Sequence, residues 1–162
     1  MTPHRHVPTP VEFPSDLEVA LAREFRAPIQ LVFDVLWKEE HLRRTIAPFG
    51  EEVTECSVDL RVGGAYSYTF VTDDGVVCAF RGTFLEVDPP HRTVQTWHFE
   101  GWPDADAVET ILLEETEGGT RLSYLLRFED QAGRDHMTKY DGLQANFENM
   151  DRYLRSLIAS VE

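Results

Sequence analysis

Residues 58–70 read VDLRVGGAYSYTF, and here the period of the chain changes. Upstream, Ile29, Val32, Phe33, Leu36 and Trp37 recur at helical spacing within IQLVFDVLW, directly after Ala27-Pro28. Proline suits the first turn of a helix, where its missing N–H costs nothing. From Val53 onward, apolar and polar side chains alternate instead, which is the period of a strand with one buried face. The pattern predicts a strand over 53–61, a hairpin turn at Gly63-Gly64 and a second strand in AYSYTFV.

Working outward, Asp73-Asp74-Gly75 and Asp88-Pro89-Pro90 bound a third alternating run, VVCAFRGTFLEV. RTVQTWHFE follows at 92–100. HFEGWPDADAVE then bridges into AVETILLEE, and Glu117-Gly118-Gly119 turns the chain into TRLSYLLRFE. Upstream, 17–26 (LEVALAREFR) reads as a first strand, and Lys38–Arg44 as a second short helix. Short turns between consecutive strands imply an antiparallel meander. The last thirty residues read as one long helix. Met137, Tyr140, Leu143, Phe147, Met150, Leu154 and Leu157 keep three- or four-residue spacing, and Gly142 marks close sheet contact or a bend. A curved sheet cannot bury its concave face on itself, and one amphipathic helix fills only part of the hollow. The expected class is α+β with helix-grip architecture, in one domain over 17–162 after a loosely ordered, proline-rich arm over 1–16.

Fifteen basic residues stand against 29 acidic ones, for a formal net charge of -14. That field disfavours nucleic acid and anionic membrane surfaces as partners. Cys56 and Cys78 are too few for a disulfide framework, which points to a reduced, cytoplasmic setting. No apolar run reaches the roughly 20 residues a membrane helix needs.

Strand parity assigns a concave face. Tyr66, Tyr68 and Phe70 share one side of their strand, Phe80, Gly82 and Phe84 another, and Leu122, Tyr124, Leu126 and Phe128 a third. Gln95, Trp97 and Phe99 fall in register with Thr93, leaving His98 on the opposite face. Together with Ile111 and with Met137, Tyr140 and Phe147 from the helix, these side chains outline a mostly aromatic pocket. Such walls suit a small hydrophobic or amphipathic ligand.

Glu109 shares parity with Ile111 and Leu113, so it falls on the apolar side. Two readings stay open. It either looks into the pocket, where desolvation raises its pKa, or lies at a strand start that is open to water, the reading its position favours. A metal site from His98, Glu100, Asp104, Asp106 and Glu109 is not expected, because the faces disagree and the aspartates sit in a turn. Ser57, Ser67 and Ser123 lack a nucleophile elbow, and no glycine-rich phosphate loop precedes a helix. Cys78 shares parity with Phe80 and reads as packing. No cofactor is expected, and binding is a better fit than catalysis.

VDLRVGGAYSYTF, FRGTFLEVDPPHRTVQTWHFEGWPD (80–104), EETEGGTRLSYLLRFED (114–130) and FENMDRYLRSLI (147–158) also carry a family likeness. In this order and spacing they resemble the SRPBCC superfamily, and within it the branch homologous to the C-terminal domain of the activator of the heat-shock protein 90 ATPase. The resemblance covers roughly 17–160. It implies a helix-grip fold, a ligand cavity between sheet and final helix, and two alternative roles. One is a co-chaperone-like interaction module with a chaperone partner or a second copy of the chain. The other is a cyclase- or hydrolase-like enzyme using the same cavity. Paired tryptophans common after the family's second helix are absent from His41–Ile46, and Phe147 stands where a helix tryptophan is common. The resemblance also places Arg43 and Arg44 near the cavity opening, where they would meet a ligand carboxylate or balance Glu39 and Glu40.

Overall fold

In a computed structural model that describes residues 10–101, 105–139 and 142–160, alternation and helical spacing resolve into seven strands and four helices. The strands are β1 (Glu18–Phe25), β2 (Glu52–Val58), β3 (Ala65–Val71), β4 (Val77–Asp88), β5 (Arg92–Glu100), β6 (Ala105–Thr116) and β7 (Gly119–Phe128). Helices α1 (Ile29–Trp37) and α2 (Glu39–Thr45) follow β1, and α3 (Gln131–Met137) and α4 (Gly142–Ala159) follow β7. All strands join one antiparallel sheet in the order β1-β7-β6-β5-β4-β3-β2. Register shifts at Val53/Glu55 and Phe84/Glu86 are where an extra residue bends and twists the sheet. This is the helix-grip fold.

Pro28 caps α1 in an extended conformation, with its carbonyl accepting from Val32 N at 3.1 Å. Ile29, Val32, Phe33, Val35 and Trp37 are buried against the sheet. α2 is tied to β2 by Glu39, whose carboxylate accepts from Val58 N at 2.9 Å. α4 buries Phe147, Met150 and Leu154 at three- and four-residue spacing. It is held by an Arg23–Asp151 ion pair of 3.4 Å to β1 and by Asn149 Nδ2, which donates to the carbonyls of Ala47 and Pro48.

Three expectations need correction. The turn before AYSYTFV is not a two-residue hairpin, since β2 ends at Val58 and residues 59–64 form a longer loop. Within it Asp59 N donates to Ala65 O, and Gly63 N and Gly64 O exchange bonds with Phe84 of β4 at 2.9 Å. A Cβ on Gly64 would fall 2.1 Å from Asp59 O, so only glycine fits.

The C-terminal thirty residues are two helices, not one. α3, capped by Asp130 accepting from Gly133 N at 2.7 Å, ends at Met137, and α4 begins at Gly142. The hydrophobic spacing runs on across the break because Met137 and Leu143 reach the same cavity from separate helices. Gly142 opens α4, and a Cβ there would meet Pro48 at an ordinary 3.7 Å, so no close sheet contact requires the glycine. β6 also starts two residues early, at Ala105, which places Asp106 on a strand and not in the turn. In the N-terminal region, Glu12 exchanges two 2.8 Å backbone bonds with Ala20, and Val11 packs on the core. No described helix is long and apolar enough to cross a membrane.

Candidate functional site

The concave face of the sheet does not close on α4. Between them lies a cavity of about 840 Å³. Its sheet walls come from alternate residues of consecutive strands: Tyr66, Tyr68 and Phe70 of β3, Phe80 of β4, Trp97 of β5, Glu109 and Ile111 of β6 and Tyr124 of β7. Met137 of α3 and Phe147 of α4 close it from the helical side. The rings around Phe80 form a connected lattice, and Phe147 and Tyr124 form a separate pair. Phe80 lies 5.0 Å from Tyr68, 5.4 Å from Trp97 and 5.1 Å from Phe99, while Phe147 meets Tyr124 edge-on at 5.4 Å. Offset and edge contacts of this kind add about 0.5–1.5 kcal/mol per pair beyond area burial, so the walls are stiff.

Two residues expected in the pocket stand behind its wall. Phe84, 1% exposed, packs with Trp37 at 4.9 Å and Tyr66 at 5.5 Å, closing one end of the barrel-like hollow. Gln95 is fully buried and touches the cavity's chemistry only through Glu109. Tyr140 lies outside the described residues. Arg43 and Arg44 are exposed on α2 and do not line the cavity.

The reading that placed Glu109 in water is overturned. With β6 beginning at Ala105, Glu109 sits five residues into the strand, opposite Gln95 on one side and Leu126 on the other. It is 9% exposed. Gln95 Nε2 donates to its Oε1 at 2.7 Å, and the Tyr124 hydroxyl donates to its Oε2. Burial pushes the Glu109 carboxyl above its usual value of 4.5, against the lowering effect of these two donors. Burial, and then the Glu109 charge, pushes the Tyr124 hydroxyl well above 10, so the proton between them stays on the phenol. Tyr66 and Tyr68 are raised for the same two reasons. The result is one hydrogen-bonded carboxyl group set in an aromatic wall.

Because that carboxyl is raised, its cost to the fold is absent below pH 4.5 and develops as pH rises through its folded-state value. Glu109→Gln is therefore expected to melt above the parent at pH 8, by about 2–4 °C for each kcal/mol recovered, with the gap closing toward pH 4. Thermal melts at the two pH values check this. An equal offset at both would show that desolvation of the charge is not the cause.

Sequence reasoning missed the walls supplied by Val11 and Phe13, by Leu36, Leu42 and Ile46 around α2, and by His136 and Asn146. The alternating Val11-Glu12-Phe13 was a usable signal for the first pair, and the helical spacing of 29–37 was one for Leu36; nothing in spacing marks the others. Cys78 does line the cavity, with burial raising its thiol, consistent with an unreactive packing group. On the convex face His98 Nδ1 lies 2.7 Å from Asp106 Oδ1, and Arg81 Nε pairs with Glu100 at 2.7 Å. Among the described residues no group of three or more His, Cys, Asp or Glu side chains converges as metal ligands. Asp104 lies outside those residues.

The family model described as activator of Hsp90 ATPase homolog 1-like protein matches residues 26–155, most of the chain. The chain belongs to that family. Its architecture recurs in solved relatives of low identity. A Rhodobacter sphaeroides protein superposes with a TM-score of 0.82 at 20% identity, covering 91% of this chain and 99% of its own. An Arthrobacter aurescens protein gives 0.81 at 21%, covering 93% of each. An AHSA1-like protein from Aeromonas hydrophila gives 0.70 at 20%, covering 90% of this chain and 96% of its own. At such identities the likeness establishes the fold alone. No curated protein matches the chain. In this member of the activator-homolog family, Glu109 is the buried carboxyl of the cavity wall.

Proposed function

We propose that this family member binds a small hydrophobic or amphipathic molecule in the cavity between the sheet and α4, lined by Tyr66, Tyr68, Phe70, Phe80, Trp97, Glu109, Ile111, Tyr124, Met137 and Phe147. The observation that carries the reading is the cavity itself. About 840 Å³ is within the 300–1,000 Å³ range of small-molecule sites, and a hollow of that size, left unfilled beneath an amphipathic helix, forfeits packing that a core would otherwise keep. Aromatic walls supply apolar contact, and one buried polar group orients the occupant.

A ligand at a hundred times its Kd stabilises the folded state by about 2.7 kcal/mol, hence a rise in Tm of about 5–10 °C for a chain of this size. Thermal denaturation against a panel of aromatic and lipid-like molecules tests this. Phe147→Trp, which pushes a larger ring into the cavity, should lose the response. A panel that leaves Tm unmoved, or a response that survives Phe147→Trp undiminished, contradicts the proposal.

A second reading follows from the family's description. A module that engages a heat-shock ATPase would work through its surface. Capture of that ATPase with equal strength by the parent and by Phe147→Trp would favour it.

A further inference from the structure

The charged groups around the cavity share a sign. Glu109 stands in the wall, with Glu51 and Asp74 nearer the rim, and no lysine or arginine is among the described lining residues. The hydrogen-bond inventory has the same bias. The hydroxyl of Tyr124 and the amide N–H of Gln95 are spent on Glu109, and the hydroxyl of Tyr66 is spent on Thr96 O at 2.7 Å. Acceptor capacity remains in the wall. Each Glu109 oxygen has a further lone pair, and Asn146, a lining residue, has a buried Oδ1 with no partner. The donors that remain include the indole N–H of Trp37, which has no partner, and the hydroxyl of Tyr68, which accepts from Trp97; both are neutral groups that suit an uncharged oxygen.

We infer that the cavity selects a cationic amphiphile, a hydrophobic amine whose ammonium pairs with Glu109 while its carbon skeleton lies among the rings of Tyr68, Phe80 and Trp97. The inference rests on the proposed binding function and adds the class of ligand. A ligand carboxylate would enter against the acidic groups of Glu109, Glu51 and Asp74 and find no lysine or arginine. A neutral ligand would leave Glu109 buried without a counter-charge. An ammonium supplies up to three donors to a site rich in acceptors. Its charge is attracted by the negative faces of the surrounding aromatic rings and by the acidic molecule as a whole. Burial, which opposes ionisation of Glu109 when it stands alone, strengthens the pair once the counter-charge is present.

Titration calorimetry with 4-phenylbutylamine, 4-phenylbutanol and 4-phenylbutyrate at pH 7.5 tests this, since the three differ only in the polar end. The amine is expected to bind at least about tenfold tighter than the alcohol, with the acid weakest. Glu109→Gln should bring the amine to the alcohol's level and leave the alcohol within about twofold. Glu51→Gln with Asp74→Asn, at the rim, should weaken the amine about twofold and reduce its salt dependence. Should the alcohol or the acid equal or exceed the amine, or should the amine keep its advantage in Glu109→Gln, the cationic ligand is excluded while the cavity reading stands. If none of the three binds, the cavity reading fails and takes the inference with it.

Discussion

Gly82→Ala is expected to cost the fold about 3–5 kcal/mol, a large share of the stability of an ordinary domain. Gly82 of β4 pairs with Tyr66 of β3. A Cβ at this position would fall 1.9 Å from Thr96 O, 2.5 Å from Tyr66 Cε1 and 2.7 Å from Tyr66 Oη. The phenol ring crosses the bare backbone of Gly82 to donate to Thr96 O of β5 at 2.7 Å. Tyr66 is 2% exposed and packs against Trp37 and Phe84, so it cannot swing aside. A methyl group must therefore displace either backbone or a buried, hydrogen-bonded ring. Urea titration should show a lower midpoint at an unchanged m-value. Tyr66→Phe, which keeps the packing and loses only the bond, should cost about 1 kcal/mol. A loss below 1 kcal/mol for Gly82→Ala would show that β4 can shift to make room.

The second large effect is at the cavity wall. Tyr124→Phe removes one of two donors to a buried carboxylate, and the expected loss at pH 8 is about 2–3 kcal/mol. The sign with pH follows from the direction of the Glu109 shift. Its folded-state value is already raised by burial, and the Tyr124 bond lowers it, so removing the hydroxyl raises it further. A raised carboxyl leaves the fold most stable below the unfolded value near 4.5 and costs stability as pH climbs through the folded value. The deficit of Tyr124→Phe should thus be small near pH 4, where Glu109 is protonated, and grow as pH rises through the folded-state value of Glu109. Urea midpoints at pH 4, 6 and 8 measure it. In a Glu109→Gln background the same substitution should show much less pH dependence, which isolates the carboxylate as the cause.

Much of the fold was readable because local signals agreed with one another. IQLVFDVLW coincides with α1 and RTVQTWHFE with β5, since each has one period and a proline marking where it begins or what precedes it. The aromatic wall was readable from parity alone, because period-two alternation assigns faces without any knowledge of neighbours. Features that depend on how distant segments meet were not. The break between α3 and α4 was hidden because two helices that feed one cavity keep the spacing of a single helix. Glu109 was hidden for a related reason. Its face followed from parity, but its depth depends on β6 beginning at Ala105, and its partners depend on the registers that set it across from Gln95 and diagonal to Tyr124. Phe84 and Gln95 share parity with wall residues, yet Trp37 and Tyr66 close over Phe84 and Gln95 is buried on Glu109, a matter of curvature that alternation does not encode.

Native mass spectrometry of the protein purified from its own host, run beside Phe147→Trp, tests most directly whether the cavity holds a ligand. The parent should carry an additional small mass that leaves on denaturation, and the variant should be bare. Bare masses for both, or the same added mass on both, would contradict a ligand seated between the sheet and α4.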